Sequence, residues 1–116
     1  EFPIALGQTP VGHKEREGDR KTPEGLYVLD YKNPNSRYHR SIHVSYPNTR
    51  DKNRAKTLGV APGGDIMIHG QPNGSKYAAD ELQRYDWTDG CIAVTNEQMD
   101  QIWAMIDVPV PIQIVP

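Results

Sequence analysis

The sequence is poor in cysteine, and that scarcity excludes several kinds of site. Cys91 is the only cysteine among the 116 residues, so no disulfide can form within the chain. A zinc site built from several cysteines is excluded for the same reason. A single cysteine is either a small buried hydrophobic residue or a reactive thiol, and only its surroundings distinguish the two.

Long apolar runs and a strong excess of one charge are missing as well. No stretch approaches the roughly 18 consecutive apolar residues that a membrane-spanning helix needs. The formal net charge is −2, so bulk electrostatics does not favour nucleic acid or anionic lipid as a partner. The length suits one domain over residues 1–116. Because the chain begins inside the apolar run FPIALG, we expect an upstream segment to be missing.

What the chain does contain is a series of short alternating segments that predict β-strands. In the stretch Arg40–Asn48, Ile42, Val44 and Tyr46 alternate with other side chains. Further strands are predicted at Phe2–Gly7, Leu26–Asn33, Asp65–His69, Cys91–Thr95 and Val108–Val115. The two prolines of the last segment favour an edge strand. This pattern predicts a mainly β fold, a sandwich or barrel with one or two short helices.

One segment has a strong helical pattern, TNEQMDQIWAMI near the C-terminus. Thr95 is expected to cap this helix, and Gln98 is expected to complete a capping box. The apolar residues from Met99 onward are spaced so that they would face the core. Some helical character is also expected at Ala78–Tyr85, inside the long loop Gln71–Thr88.

Two polar segments show neither pattern. The stretch Asn48–Lys56 is charged and carries no strand or helix prediction. The stretch Thr9–Gly25 is rich in glycine, proline and charge, which predicts a loop. Within that loop we expect an architectural role for the string GDRKTPEG, in which Asp19 and Thr22 would brace a turn.

The lone cysteine and one histidine occupy matching places in the predicted strands. Cys91 starts a short apolar strand directly after Gly90, and His69 ends another directly before Gly70. If these strands are neighbours, the thiol and the imidazole come within about 3–4 Å, and the histidine can take the thiol proton. The backbone N–H groups around Gly90 and Cys91 would then form an oxyanion hole.

Plainer interpretations of the same residues remain open at this point. Cys91 could be an inert core residue, since free cysteine is among the most buried residue types. His69 could simply bond a backbone carbonyl at the end of its strand. A metal site made by His39, His43 and Cys91 is a third possibility, although their spacing matches no common zinc pattern.

Four sequence elements in a fixed order resemble the L,D-transpeptidase catalytic domain, the YkuD-like family. They are EGDRKTPEGLYVL, YPN, IMIHGQPNG and DGCIAVTN, and the resemblance covers nearly the whole chain. The strings SYPN and PGG-x-I-x-IHG resemble a YafK-type subgroup. The resemblance implies a β-rich sandwich that acts on the stem peptides of peptidoglycan without a cofactor.

The resemblance also implies a role for each residue of the candidate site. Cys91 matches the nucleophile, which would form a thioester with the donor peptide and expel a terminal D-amino acid. His69 matches the general base, and Gly70 would supply a backbone carbonyl as the third member. An amine or water would then take the acyl group. Because peptidoglycan lies outside the cytoplasm, the implied location is periplasmic or extracytoplasmic.

Two residues depart from the commonest pattern of that family. Asp89 stands where the family usually has a second histidine, and Ala93 stands where it usually has an arginine. The outcome therefore stays open between transpeptidation, carboxypeptidation and an amidase reaction that releases a peptidoglycan-linked protein. A non-catalytic cell-wall-binding module on the same fold is the alternative from another class.

Five residues are candidates for binding the substrate. Thr88 would hydrogen-bond the loop or the peptide, Trp87 would cover the edge of the cleft, and Arg84 would hold a peptide carboxylate. Asp89 is expected to point away from the thiol, toward backbone amides or a substrate amine, because a nearby carboxylate favours the protonated thiol. Tyr46 is the fifth candidate.

Overall fold

Five strands and two helices make up the structure, a computed structural model that describes residues 7, 11–74, 88 and 90–115. The elements in chain order are β1 Gly25–Ser36, β2 His39–Val44, α1 Thr49–Leu58, β3 Met67–His69, β4 Ile92–Ala93, α2 Asn96–Met105 and β5 Val110–Ile114. The expected mainly β fold with short helices is confirmed. The strand predicted at Phe2–Gly7, apart from Gly7, and the helical character predicted at Ala78–Tyr85 lie outside the described residues.

The strands form one sheet in the order β4-β3-β2-β1-β5. All neighbours are antiparallel except β3 and β4, which run parallel. The C-terminal strand β5 lies at one edge, as its prolines predicted, and β4 lies at the other. The strands that end at His69 and begin after Cys91 are therefore neighbours.

The register of the three strands at one end of the sheet sorts their residues onto two faces. Ile42, Ile68 and Ile92 are aligned across β2, β3 and β4, and all three are buried. The next row on the opposite face contains Ser41 and His69, which are directly opposite each other. Because successive side chains alternate across a strand, the isoleucine row builds the core and the second row is available for a site.

Helix α2 covers the core face of the sheet. Thr95 accepts a hydrogen bond from the Gln98 N–H, and the Gln98 side chain accepts one from the Thr95 N–H, so the predicted capping box is confirmed. Met99 and Ile102 are buried in the core cluster, with Trp103 and Ile106 packed against it. No helix within the described residues is long and apolar enough to cross a membrane.

Helix α1 lies in the polar stretch that carried no strand or helix prediction. Asn48 caps it in a capping box with Asp51, and Gly59 ends it in the left-handed conformation, with φ +71°. Its buried residues are Ala55 and the polar Asp51, which accepts a hydrogen bond from the Tyr27 hydroxyl at 2.7 Å and lies 2.9 Å from His13 Nε2. An apolar stripe was therefore never needed to hold this helix in place.

The loop before β1 is organised around one carboxylate. Asp19 accepts hydrogen bonds from the backbone N–H groups of Glu15, Arg16 and Lys21, and it pairs with the buried Lys14 ammonium at 3.1 Å. Burial, the largest influence, raises the Asp19 pKa, but these hydrogen bonds together hold that pKa below its usual value of 3.8. The bracing role expected for Asp19 is confirmed.

Candidate active site

The turn that leads into Cys91 is held by a single hydroxyl. Thr88 Oγ1 donates to the Cys91 carbonyl oxygen at 2.7 Å and accepts from the Gly90 N–H at 3.2 Å. Of the two roles considered for Thr88, hydrogen bonding of the loop is the one this geometry shows. The Gly90 N–H is thus directed at Thr88, and Gly90 does not line the cavity beside Cys91, so we do not assign it an oxyanion role.

Gly90 is required at its position for a second reason. Its φ is +131°, a conformation that side-chain-bearing residues rarely adopt. A Cβ atom placed there would lie 2.7 Å from the Lys21 carbonyl oxygen. The turn before Cys91 therefore packs directly against the loop that Asp19 organises.

The Cys91 thiol contacts two backbone groups of the segment that enters β3. Its Sγ donates to the Asp65 carbonyl oxygen at 3.2 Å and accepts from the Met67 N–H at 3.4 Å. Asp65 itself has a positive φ of +54°, which turns its backbone before the strand. The thiol is half-buried, so the interpretation of Cys91 as a fully buried core residue is wrong.

His69 is held in a single orientation at the end of β3. Its Nδ1 lies 2.7 Å from the Gly70 carbonyl oxygen, and the Tyr38 ring stacks on it with 4.5 Å between centroids. Because Nδ1 donates to this carbonyl, the acceptor nitrogen of the neutral ring is Nε2. The side chain is 4% exposed, and this burial lowers the His69 pKa below its usual value of 6.5.

Gly70 allows close contact among three segments of the chain. A Cβ atom on Gly70 would lie 2.5 Å from the Asn96 side-chain oxygen and 2.9 Å from the Tyr38 carbonyl oxygen. The same Asn96 oxygen accepts a hydrogen bond from the Gln71 N–H at 2.8 Å. The first residue of α2 therefore fixes the chain just after His69, and this contact holds the Gly70 carbonyl where the imidazole needs it.

Cys91 and His69 line one cavity of about 620 Å³. Its other lining residues are Lys14, Glu17, Gly18, Ser36, Tyr38, Ser41, Gly63, Gly64, Asp65, Ile66, Met67 and Thr88. The parallel register of β3 and β4 places Ile68 beside Ile92 and His69 beside Ala93. Cys91 therefore lies diagonally across from His69 on the same side of the sheet. A thiol and a buried imidazole facing one cavity form an arrangement suited to nucleophilic acyl transfer.

Tyr46, predicted as a substrate-binding residue, is not brought to this cavity. Tyr46 is 2% exposed, lies in the core cluster and donates its hydroxyl to the Pro62 carbonyl at 2.8 Å. Tyr46 continues the alternation of Ile42 and Val44, which are also buried, so its side chain points into the core. Arg84, Trp87 and Asp89 lie outside the described residues.

The metal site considered for Cys91 is not formed. His39 pairs with Asp100 at 2.7 Å and His43 pairs with Asp30 at 2.6 Å. Within residues 7, 11–74, 88 and 90–115, no group of three potential metal ligands comes together.

Among the cavity residues that were not identified from the sequence, three have side chains of chemical interest. Lys14 lies in a charged loop and carries no motif, yet it is 3% exposed. Tyr38 precedes β2 and is recognisable only by its stacking on His69. Ser41 alternates with the apolar residue Ile42, but the cross-strand register that sets it opposite His69 cannot be obtained from the sequence alone.

Comparison with known proteins places this chain in a family. Residues 1–114 match the L,D-transpeptidase catalytic domain. The chain belongs to this family. YafK of Escherichia coli strain K12, a candidate L,D-transpeptidase, is 31% identical over 98 residues, which cover 83% of this chain and 32% of YafK. The chain thus spans about a third of the length of that relative.

Solved structures agree with this assignment. The helical cell shape determining protein Pgp2 from Campylobacter jejuni is 34% identical, with a TM-score of 0.69 over 95% of this chain and 36% of Pgp2. Bd1075 from Bdellovibrio bacteriovorus is 26% identical, with a TM-score of 0.64 over 98% of this chain and 37% of Bd1075. An L,D-transpeptidase from Mycobacterium smegmatis shares the fold at 13% identity, with a TM-score of 0.60 over 99% of this chain and 48% of that protein.

Proposed function

We propose that this L,D-transpeptidase-family domain is a cysteine acyltransferase that acts on the stem peptides of peptidoglycan through a thioester on Cys91. The observation that carries the proposal is the shared cavity of Cys91 and His69, with His69 Nδ1 held by the Gly70 carbonyl. The family membership supplies the class of substrate. An extracytoplasmic location is part of the same proposal, because the substrate lies there.

The proposed first step is transfer of the Cys91 proton to His69. The thiol donates to the Asp65 carbonyl, so it begins protonated and needs a base before it can attack. The low pKa of His69 keeps the imidazole neutral at pH 7 and able to accept that proton. Once charged, the ring donates more strongly to the Gly70 carbonyl, and this bond stabilises the imidazolium.

The second step is the exchange of leaving group for acyl acceptor. The Cys91 thiolate attacks the donor carbonyl, and the terminal D-amino acid departs with the proton that His69 holds. Attack by an amine on the thioester gives a cross-link or an exchanged residue. Attack by water gives a shortened stem peptide, and a peptidoglycan-linked protein as leaving group would make the reaction an amidase reaction.

Acylation by a carbapenem tests the proposal. The strained amide of this inhibitor acylates reactive thiols, and intact-protein mass spectrometry reports the adduct. We expect one adduct per chain, absent in Cys91→Ala, and slowed roughly 10²- to 10⁴-fold in His69→Ala, the usual contribution of a general base. An adduct that persists in Cys91→Ala, or that His69→Ala forms at the wild-type rate, contradicts the proposed mechanism.

Digestion of muropeptides then separates the possible reactions. New cross-links indicate a transpeptidase, loss of one D-alanine from a tetrapeptide indicates a carboxypeptidase, and release of a bound protein indicates an amidase. A chain that binds peptidoglycan but neither forms the carbapenem adduct nor changes any muropeptide is a wall-binding module, and that result overturns the proposed function.

A further inference from the structure

Ser41 carries a buried hydroxyl with no hydrogen-bond partner among the described residues. The residue is 1% exposed, and no described residue offers its Oγ a hydrogen-bond partner. Burial of a hydroxyl without a partner is unfavourable, and the large majority of buried polar side-chain atoms do have one. Ser41 also lines the cavity that holds Cys91 and His69, so its hydroxyl lies in the wall of that cavity.

The sheet register places this hydroxyl beside the candidate base. Ser41 and His69 are directly opposite in the antiparallel pair of β2 and β3. Side chains at such positions point to the same face, with Cβ atoms about 4.5–5.5 Å apart. The serine hydroxyl and the imidazole are therefore neighbours in the wall of the cavity.

We propose that Ser41 is a positioning residue for the acyl acceptor in the second half of the reaction. Its Oγ accepts a hydrogen bond from the incoming water or amine while His69 Nε2 accepts the other proton. This inference rests on the proposed function, since it requires a thioester on Cys91. It adds the site at which the second substrate is held.

The water oxygen forms a bond to the thioester carbonyl carbon, and its proton passes to His69 Nε2. The carbon–sulfur bond then breaks, the electron pair returns to Cys91 Sγ, and the thiolate recovers the proton from His69. A thioester and water become a carboxylic acid and a thiol. With an amine as acceptor the product is an amide.

Ser41→Ala tests this role against the wild-type chain. Disaccharide-tetrapeptides from a muramidase digest of peptidoglycan are mixed with each protein and quenched in acid at a series of times. Intact-protein mass spectrometry then follows the formation and the decay of the Cys91 adduct. We expect adduct formation to change less than twofold and adduct decay to slow about tenfold, the effect of one lost hydrogen bond.

A stability measurement excludes a merely structural role. Removal of a buried hydroxyl that has no partner in the described part of the chain is expected to leave the thermal midpoint unchanged or raised. Ser45→Ala is the matched control, because the Ser45 hydroxyl accepts from the Val28 N–H at 2.9 Å and lies outside the cavity. That variant should lose stability and keep the wild-type rate of decay.

The outcomes distinguish failure of this inference from failure of the proposed function. If the wild-type chain forms no Cys91 adduct with either tetrapeptide or carbapenem, the proposed function is wrong, and the positioning role of Ser41 is wrong as well. If the adduct forms but decays equally fast in the wild type and Ser41→Ala, only the positioning role fails. Equal slowing of formation and decay, or a Ser41→Ala chain that does not fold, also overturns the positioning role.

Discussion

The imidazole of His69 is bonded through Nδ1 to the carbonyl oxygen of the next residue, Gly70, at 2.7 Å. A residue that bonds its own neighbour depends on the local backbone, and that backbone is fixed by the Asn96 side chain that accepts from the Gln71 N–H. The orientation of the ring is therefore set by the start of helix α2. The pKa of the same ring is lowered by its burial.

The lowered His69 pKa predicts where activity is lost in acid. The neutral imidazole is needed as the base, so the rate of carbapenem acylation should fall as pH drops through the His69 pKa. Because that pKa lies below 6.5, the acidic limb should be centred below pH 6.5. Acylation rates from pH 4 to pH 8 measure it. A limb centred at or above 6.5 would contradict the assignment.

The same group predicts how stability depends on pH. The unfolded chain binds a proton at His69 near pH 6.5, whereas the folded chain binds that proton only at a lower pH. The His69 contribution to stability is therefore fully present above pH 6.5 and is lost as pH falls through the lower folded-state pKa. Urea unfolding of the wild type and of His69→Gln over this range should show a difference in slope, and parallel curves would contradict the shift.

From the sequence, Cys91 and His69 could be predicted to lie close together only if their two strands were neighbours. Local patterns identified both residues as candidates, because each has a glycine beside it and stands at one end of a short apolar strand. Their proximity required the two strands to be adjacent, and the parallel pairing of β3 with β4 meets that requirement. The Asp65 carbonyl that accepts the hydrogen bond of the thiol could not be predicted, because its direction depends on a positive φ at a residue that is not glycine.

A substitution at Gly90 should disturb both stability and the thiol. In Gly90→Ala the new methyl group would meet the Lys21 carbonyl at 2.7 Å in a conformation with φ +131°. We expect a loss of roughly 2–4 kcal/mol in the free energy of unfolding, together with slower acylation of Cys91. Denaturant titration and the carbapenem assay measure the two effects.

The matched control for this variant is Gly59→Ala. Gly59 also has a positive φ, +71°, but a Cβ atom there meets nothing within 4 Å. We expect about 1 kcal/mol of destabilisation from the backbone strain and an unchanged acylation rate. Equal effects of the two substitutions would show that the contact with Lys21 is unimportant.

The Lys14–Asp19 pair predicts a second effect on stability. Asp19→Asn removes the negative charge that lies 3.1 Å from the ammonium of Lys14, a residue only 3% exposed. We expect a loss on the order of 3 kcal/mol at pH 7, because the lysine charge stays buried. The Asp19 pKa is lowered from 3.8, so its contribution is present above pH 3.8 and is lost as pH falls through the folded-state value.

The control for Asp19 is an exposed ion pair near the same loop. Arg54 and Glu15 lie 3.3 Å apart with side chains 55% and 44% exposed, so Glu15→Gln should change the unfolding midpoint little. Urea titrations at pH 7 and pH 3 measure both variants. If Asp19→Asn is no more destabilising at pH 7 than Glu15→Gln, the bracing role of Asp19 is wrong.

Helix α2 and most strands could be predicted from the sequence, whereas helix α1 could not. Helix α2 and the strands have apolar periodicity because their faces are buried against each other. Helix α1 lacks that signal, since its inward residue Asp51 is a carboxylate bonded to Tyr27 and His13. A polar contact over a long sequence separation leaves no periodic pattern. The capping residues Asn48 and Asp51 and the C-terminal Gly59 were the local signs of the helix.

Tyr38 offers the sharpest test of how the site sets the pKa of its base. Its ring stacks on His69 with 4.5 Å between centroids and 27° between planes, and it is part of what keeps water from the imidazole. Tyr38→Ala should let solvent reach the ring and raise the His69 pKa toward 6.5, which moves the acidic limb of acylation to higher pH. Tyr38→Phe keeps the stacked ring and should leave that limb in place. If both variants shift the limb equally, the hydroxyl rather than the stacking controls the base, and if neither does, burial by Tyr38 is not what lowers the His69 pKa.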